Sequence, residues 1–255
     1  MELFDFVGII GERSNESLME YEDKDLLDLY TIKDEEHWYT LFNPLIAYLG
    51  DIEGKKILDI GCGSGALANE LSKKACQVDG LDSSEGWIGH CKKTYDRENL
   101  RFFRATADDL SLFADESFDI VVMNMVVPNI YDADEIRRIF GEIRRVVKET
   151  GDIVFSDLHP VCVMAHEEGN RKQVRPDDFS YFKDGNRFTA VVKIEGDREI
   201  AFSDSHWTLG FYTDVLDGNG IYIKKIIEST YPENAPKKFF RYSYPEYIIF
   251  CCKKF

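Results

Sequence analysis

The stretch ILDIGCGSGALA, residues 57–68, decides the fold of this chain. An apolar run typical of a strand leads into Gly61, Gly63 and Gly65, and residues with good helix propensity follow. Because a glycine has no Cβ, a ligand can lie against its backbone, and the start of a helix offers free N–H groups. The pattern predicts a strand, a ligand-binding turn and a helix. A purely structural tight turn is the alternative interpretation.

Asp59 narrows the kind of ligand that this turn would hold. Turns that bind a pyrophosphate usually carry the pattern G-x-G-x-x-G and no acidic residue two positions before the first glycine. Here Asp59 stands at that position. Its negative charge disfavours a phosphate and favours a ligand that is cationic or rich in hydroxyl groups.

On both sides of this stretch, apolar strand-like runs alternate with amphipathic helical ones. This alternation predicts a parallel sheet with helices on both faces. The predicted strands are residues 55–61, 77–84, 100–110 (with the following loop), 118–127 and 152–160. The predicted helices are residues 66–75, 85–96 and 133–151, the last with a stop signal at Gly151 after Lys148.

The flanking parts of the chain follow a different pattern. The first 50 residues predict two helices, Asn15–Leu29 and Glu35–Leu49. Residues 167–186 are polar and turn-rich, and residues 187–207 predict a β-hairpin that turns around residues 195–197. A short helix over 208–220 and strands over 221–229 and 244–255 follow.

The charge and cysteine content of the chain limit the partners and the cellular compartment that we expect. The formal net charge is −16, from 31 Lys and Arg against 47 Asp and Glu, so the surface repels phosphate backbones and anionic lipid. We therefore expect neither a nucleic-acid nor a membrane partner. The six cysteines show no CxxC pair and no zinc-site spacing, which favours reduced structural thiols in the cytoplasm. The N-terminus lacks the features of a secretory signal.

A second acidic residue follows the second predicted strand. Asp82 lies 21 positions beyond Gly61, at the tip of that strand. An acid at this distance is suited to hydrogen-bonding two ribose hydroxyls. A solvated surface aspartate is the alternative. The stretch ATADDL, residues 105–110, ends the third strand near the same edge of the sheet.

In these motifs the sequence resembles the class I S-adenosylmethionine-dependent methyltransferases. ILDIGCGSG, VDGLDSS, RATADDL and FDIVVMNMVVPNI match the successive cofactor motifs of that family in order and spacing, over roughly residues 54–160. The resemblance implies an α/β fold with a Rossmann-like, seven-stranded, mostly parallel sheet flanked by helices. It further implies an N-terminal helical cap (1–50), a core (51–160 and 207–255) and an inserted substrate-cover subdomain (161–206).

The resemblance also implies a cofactor site for S-adenosylmethionine, with S-adenosylhomocysteine as the product. Asp59 would orient the amino group, Asp82 would bind the ribose, and the glycine turn would approach the methionine part. The other implied cofactor-binding residues are Gly61, Cys62, Gly63, Gly65, Ser83, Ala107, Asp108, Asn124 and Met125. Many members of that family have an acidic residue at the position of Thr106, so the resemblance leaves open which side chain of this chain would bind the adenine amino group.

Methyl transfer from a sulfonium is an in-line displacement, so positioning the acceptor is the protein's main task. A base is needed only where the acceptor must lose a proton. His206 and His159 are the candidate catalytic residues, and a structural hydrogen bond is the alternative for each. The sequence shows no metal-ligand cluster, so we predict a metal-free site.

The function predicted from these features is methyl transfer to an oxygen or nitrogen atom of a small organic molecule. One alternative is a protein or tRNA methyltransferase, of which the tRNA type is disfavoured by the acidity of the chain. The other is a non-catalytic S-adenosylmethionine-binding sensor or partner protein. We expect a monomer or a homodimer.

Overall fold

The structure of this protein is a computed structural model. It describes residues 37–165, 167–168, 171–194, 198–233, 235–236 and 243–255. The predicted helix Asn15–Leu29 lies outside these ranges. Of the predicted second helix, the described part forms a π-helical turn, Trp38–Phe42, that continues into helix α1, Asn43–Leu49.

Seven strands form the central sheet. In chain order they are β1 Lys56–Ile60, β2 Gln77–Asp82, β3 Leu100–Arg104, β4 Phe118–Asn124, β5 Val147–Leu158, β10 Ile221–Ser229 and β11 Tyr247–Lys254. Their order across the sheet is β3-β2-β1-β4-β5-β11-β10. The first five are mutually parallel, and β11 runs antiparallel to both of its neighbours. This confirms the predicted seven-stranded, mostly parallel sheet.

Helices cover both faces of the sheet, as the alternating pattern predicts. The helices after α1 are α2 Ala66–Leu71, α3 Glu85–Thr94, α4 Ala133–Val146, α5 Pro160–Met164 and α6 Leu209–Gly218. One apolar cluster joins the sheet to α1, α2 and α3, and a second joins its other face to α4 and α6. Since both faces are buried, β4 is apolar at nearly every position.

The end of α4 differs from the prediction. The helix ends at Val146, and the chain enters β5 at Val147 instead of continuing to Gly151. Across β4, Phe118 pairs with Val147 and Ile120 pairs with Asp152, so residues 148–151 bulge out of the ladder. A Cβ on Gly151 would lie 2.6 Å from a Val147 methyl carbon. The glycine therefore permits a tight bend within the strand and does not stop the helix.

A second sheet of four antiparallel strands lies between α5 and α6 in the chain. It consists of β6 Glu167–Glu168, β7 Arg171–Val174, β8 Asn186–Ile194 and β9 Arg198–His206. The predicted hairpin is confirmed by the pairing of β8 with β9, from Asn186 opposite His206 to Ile194 opposite Arg198. The strands β6 and β7 were not predicted, because their polar sequence gives no strand signal without the pairing to β8. The division of the chain into cap, core and cover stays a prediction.

The structure shows the state of the cysteines and the lengths of the helices. All six cysteines lie in the described ranges and are free thiols, five of them buried and Cys76 exposed. Burial raises the pKa of the Cys251 thiol to about 11. Within the part of the chain that the structure describes, no helix is long and apolar enough to cross a membrane.

An ion pair in which only the carboxylate is buried joins β2 to β3, since the Arg101 side chain is 53% exposed. The Asp79 side chain is only 1% exposed, and the Arg101 guanidinium binds both of its oxygens, each at 2.8 Å. Gln77 Nε2 donates a further hydrogen bond to Asp79 Oδ2 at 2.9 Å. By contrast, the ion pair of Arg104 and Glu85 at the end of β3 is exposed on both sides.

Replacing these two arginines should have different effects on stability. Arg101→Ala should lower the free energy of unfolding by about 1–3 kcal/mol, because it leaves a buried carboxylate without its charged partner. Arg104→Ala, the matched control on the same strand, should cost less than about 1 kcal/mol, as exposed ion pairs do. Urea denaturation of the three proteins measures both changes. Equal losses for the two variants would contradict the assignment.

Candidate active site

The glycine turn between β1 and α2 is built from three residues with positive φ. Gly61, Gly63 and Gly65 have φ values of +67°, +49° and +77°. A Cβ on Gly61 would lie 2.3 Å from Val126 Cγ2, and one on Gly65 would lie 2.9 Å from Cys91 Sγ. A Cβ on Gly63 would come within 4 Å of no atom of the described residues. The outer glycines therefore serve close packing, and the middle one faces open space.

Asp82, at the end of β2, holds this turn in place. Its Oδ2 accepts a hydrogen bond from the Gly63 N–H at 3.0 Å, and its Oδ1 accepts one from the Ser84 N–H at 2.9 Å. Burial raises the pKa of Asp82, and these backbone donors oppose the shift. Ser83 is exposed beside it, and the Ser84 hydroxyl caps α3 by accepting from the Trp87 N–H.

Asp59 lies beneath the turn and is 2% exposed. Its Oδ2 is buried and has no hydrogen-bond partner among the described residues. Burial, and secondly the nearby charge of Asp82, raise the pKa of Asp59 to about 8, although the Ala68 N–H donates a hydrogen bond to it. A buried carboxyl with an unused oxygen beside an open backbone fits a ligand that carries an amino group.

Cys62 contributes its backbone to this turn. Its N–H donates to the Leu81 carbonyl at 2.9 Å, while its thiol is buried against Cys91. Cys91 Sγ in turn donates to the Gly63 carbonyl at 3.1 Å. The Cys62 side chain therefore packs inward, and the Cys62 carbonyl accepts a hydrogen bond from the Gly65 N–H at 2.8 Å, so this residue stabilises the turn.

The end of β4 places Asn124 and Met125 at the same edge of the sheet. The Ser156 hydroxyl donates to Asn124 Oδ1 at 3.0 Å, whereas Asn124 Nδ2 is buried without a partner in the described ranges. Met125 has a left-handed φ of +54°, which costs a residue with a Cβ about 1–2 kcal/mol. Its N–H donates to the Ser156 carbonyl at 3.2 Å. Strain of this kind is often found at functional sites.

The loop after β3 lies beside the end of β2. The Ala105 N–H donates to the Asp82 carbonyl at 3.1 Å, and the half-buried Ala107 packs on the core. Asp108 lies 3.4 Å from the Arg138 guanidinium of α4, measured from Oδ2 to Nη2. Asp108, one of the implied cofactor-binding residues, therefore already has a cationic partner.

His159 is engaged at both ring nitrogens. Its Nδ1 accepts a hydrogen bond from the Val161 N–H at 3.1 Å, which caps α5. Its Nε2 lies 3.0 Å from the Glu228 carboxylate of β10. These contacts join α5 to the sheet edge, and the predicted catalytic role of His159 stays a prediction.

His206 ends β9 and is 2% exposed. Its ring packs between Phe179 and Tyr181, with centroid distances of 5.6 and 5.1 Å. Its Nε2 donates to the Tyr181 carbonyl at 2.9 Å. Burial lowers the pKa of His206, so the ring is neutral at neutral pH. Its catalytic role also stays a prediction.

The parallel strands bring the predicted residues of β1, β2 and β4 to one edge. The register aligns Ile60 with both Leu81 and Met123. Asp82 and Asn124 therefore end the strands on either side of β1, and Asp59 lies one residue before the end of β1. The loop with Ala107 and Asp108 is attached to the same edge by the hydrogen bond from the Ala105 N–H to the Asp82 carbonyl. His159 and His206 belong to other elements, and each is held by the partners described above.

Two polar residues of β5 were not singled out from the sequence. Ser156 orients Asn124, and Asp157 is fully buried. Asp157 accepts hydrogen bonds from the Leu158 N–H and the Tyr212 hydroxyl, and burial raises its pKa well above the usual range. The available signal was their position, since polar residues at the carboxyl end of a buried strand often belong to a site.

The described residues contain no group of three or more His, Cys, Asp or Glu side chains arranged to hold a metal ion. The metal-free site stays a prediction.

Comparison with known families agrees with this geometry. Residues 58–155, which run from β1 to β5, match the family described as the methyltransferase domain. The chain therefore contains a region, from β1 to β5, that matches a methyltransferase domain.

Two curated relatives are methyltransferases. The phthiotriol/phenolphthiotriol dimycocerosates methyltransferase of Mycobacterium tuberculosis is 36% identical over 112 residues, 43% of this chain and 40% of the relative. The fatty-acid O-methyltransferase of Mycolicibacterium smegmatis is 30% identical over 112 residues, 43% of this chain and 39% of the relative. The matches span less than half of the length of either relative.

A solved structure shares the fold beyond the matched domain. The S-adenosylmethionine-dependent methyltransferase from Mesorhizobium loti superimposes with a TM-score of 0.61, covering 83% of this chain and 96% of that one at 21% identity. At this identity the likeness concerns the fold alone.

Asp59 should make stability depend on pH. A carboxyl whose pKa is raised on folding stabilises the fold below its unfolded pKa, about 4, and that contribution is lost as the pH rises towards 8. Asp59→Asn keeps an oxygen for the Ala68 N–H and cannot ionise. The variant should therefore gain stability over the natural protein by about 1 kcal/mol per pH unit between pH 5 and 8. Urea denaturation at several pH values measures this gap, and parallel curves would contradict it.

Proposed function

We propose that this chain transfers a methyl group from S-adenosylmethionine to an oxygen or nitrogen atom of a small organic molecule. The observation that carries the proposal is the unpartnered, buried Asp59 Oδ2 beside the open backbone of Gly63. A ligand with an amino group could donate a hydrogen bond to Asp59 Oδ2 and lie against the Gly63 backbone. When bound, S-adenosylmethionine supplies a methyl group activated on a sulfonium.

The residues of the glycine turn and the strand ends would hold the cofactor. Asp59 would receive the amino group, and Gly61, Cys62, Gly63 and Gly65 would approach it with their backbone. Asp82 still has lone pairs for ribose hydroxyls after binding two backbone N–H groups. We assign the adenine to Ser83, Ala107 and Asp108, and the methyl side to Asn124 and Met125.

We propose residues 161–206 as the cover of the methyl acceptor. Phe188 and Ala190 of β8 are buried in the same apolar cluster as Val163 of α5, and Phe179 and Met125 pack against that cluster. An apolar site with few polar groups suits a small organic acceptor. The names of both curated relatives include a lipid-like substrate. This favours an acceptor with an apolar body and one reactive polar group.

His206 is the better candidate base where the acceptor must lose a proton. Because Nε2 donates to the Tyr181 carbonyl, the neutral ring carries its proton there, and Nδ1 is the nitrogen that can accept one. His159 Nδ1 already accepts from Val161. We keep both residues as proposals and rank His206 first.

Two alternatives remain, a macromolecular acceptor and a non-catalytic sensor or partner protein. The net charge of −16 disfavours tRNA but not a protein acceptor. The free thiols fit the proposed cytoplasmic location.

Calorimetry with S-adenosylhomocysteine tests the cofactor site. Incubation of the protein with S-adenosylmethionine and a panel of fatty acids, phenols and amines then tests catalysis. Release of S-adenosylhomocysteine with a panel member supports the proposal, and binding without turnover favours the sensor.

Gly63 gives a sharp test of the cofactor site. Gly63→Ala puts a methyl group into space that the described residues leave open, so it should weaken S-adenosylhomocysteine binding at least about tenfold, as an unavoidable clash with a ligand would. Gly54→Ala is the matched control, because Gly54 also has a positive φ, +73°, and an open Cβ position outside the site. Both variants should lose about 1 kcal/mol of stability through backbone strain. Unchanged affinity for the Gly63 variant would exclude the turn from the site.

His206 can be tested once an acceptor is known. His206→Gln retains a side-chain donor for the Tyr181 carbonyl but loses the basic nitrogen. If His206 is the base, kcat should fall about 10²–10⁴-fold while the S-adenosylhomocysteine Kd stays within a factor of two. His159→Gln is the comparison. A fall in kcat for His159→Gln alone would reverse the ranking.

A further inference from the structure

A single buried hydroxyl connects the four-stranded sheet to the segment that follows β4. Ser205 of β9 is 3% exposed, and its Oγ accepts a hydrogen bond from Trp207 Nε1 at 2.8 Å. The same hydroxyl donates to the Ile130 carbonyl at 2.6 Å and lies 3.0 Å from the Pro128 carbonyl. These contacts seat β9 on residues 125–130, here named the post-β4 turn.

Two further contacts hold the same pair of elements together. The Tyr131 hydroxyl donates to the Ser203 carbonyl of β9 at 2.8 Å. The Arg187 guanidinium of β8 lies 3.7 Å from the centre of the Tyr131 ring, a cation–π contact. Both strands of the β8–β9 hairpin therefore contact the segment that follows β4. Of the contacts described here, those of Ser205 are buried, and those of Tyr131 are exposed to solvent.

The post-β4 turn also touches the glycine turn. Val126 Cγ2 lies only 2.3 Å from where a Cβ on Gly61 would be, so its methyl group rests against the Gly61 backbone. Within the post-β4 turn, Asn129 Nδ2 donates to the Met125 carbonyl at 3.0 Å. Packed groups thus run without a break from Ser205 to Gly61.

We propose that Ser205 is a positioning residue. Through the post-β4 turn, it fixes the position of the proposed acceptor cover, residues 161–206, relative to the glycine turn. Without its hydroxyl, the buried Ile130 carbonyl and Trp207 Nε1 lose a partner, and the turn must shift to regain one. That shift would move Val126 away from Gly61. The functional part of this inference rests on the proposed function, because methyl transfer requires the two ligands to be aligned closely.

Hydrogen exchange of the ligand-free protein tests the mechanical part. The variants are Ser205→Ala, the conservative Ser205→Thr, and Ser203→Ala as a control on an exposed side chain of the same strand. Ser205→Ala should raise exchange about fivefold or more both in residues 126–131 and at the hydrogen-bonded amides of Cys62, Gly63 and Gly65. Ser205→Thr and Ser203→Ala should leave these rates near those of the natural protein. A rise confined to residues 126–131 would overturn the proposal.

A milder variant keeps the proposal falsifiable if Ser205→Ala does not fold. Tyr131→Phe removes only the hydrogen bond to the Ser203 carbonyl, and a smaller rise in both segments is expected. No rise in the glycine turn would then overturn the proposal. If the coupling passes through Val126, Val126→Ala should reduce the effect of Ser205→Ala on the glycine turn.

Calorimetry with S-adenosylhomocysteine tests the functional part. Its Kd should rise about fivefold or more in Ser205→Ala and stay within twofold in Ser203→Ala, since the coupling between sites is typically 5–150-fold. An unchanged Kd in a folded Ser205→Ala variant would overturn the positioning role. If the natural protein binds no S-adenosylhomocysteine, the proposed function fails, while the exchange experiment still decides whether Ser205 couples the two turns.

Discussion

One carboxylate, that of Asp82, organises the edge of the sheet on which the site depends. It binds backbone N–H groups of two different loops, the glycine turn at Gly63 and the start of α3 at Ser84. Glycine adopts the positive φ angles of this turn without strain, and the hydrogen bond to Asp82 adds to those that Cys62 and Cys91 make with the turn. The loop after β3 is attached to the same residue through the Asp82 carbonyl and the Ala105 N–H.

The electrostatics of this edge follow from burying two acids close together. Asp59 and Asp82 both have raised pKa values, since burial disfavours the charged form and, for Asp59, the charge of its neighbour adds to the effect. Among the residues that the structure describes, Asp59 has a backbone donor, the Ala68 N–H, but no cationic partner. A cationic ligand would relieve this, which links the fold of the turn to the class of ligand that a methyltransferase domain binds.

The same edge also carries the attachments of the second sheet. The post-β4 turn lies between the glycine turn, through Val126, and the hairpin, through Ser205 and Tyr131. Met125 holds a strained backbone conformation at the centre of these contacts, with its N–H bound to the Ser156 carbonyl. The site is therefore formed by elements from three regions of the chain, each fixed by backbone contacts more than by ion pairs.

The sequence alone determined the parts of the structure that local patterns encode. Alternating apolar runs predicted a parallel sheet with helices on both faces, and the resemblance to the methyltransferase family implied its seven strands. The spacing of Asp59, the glycines and Asp82 predicted one site at its edge, because parallel strands bring their carboxyl ends together. Only the tertiary structure decided what depends on distant partners. Strand β7 exists by pairing with β8, α4 stops where β5 joins β4, and His159 and His206 are held by Glu228 and the Tyr181 carbonyl. Those partners lie far along the chain from the residues they fix, so no local pattern records them.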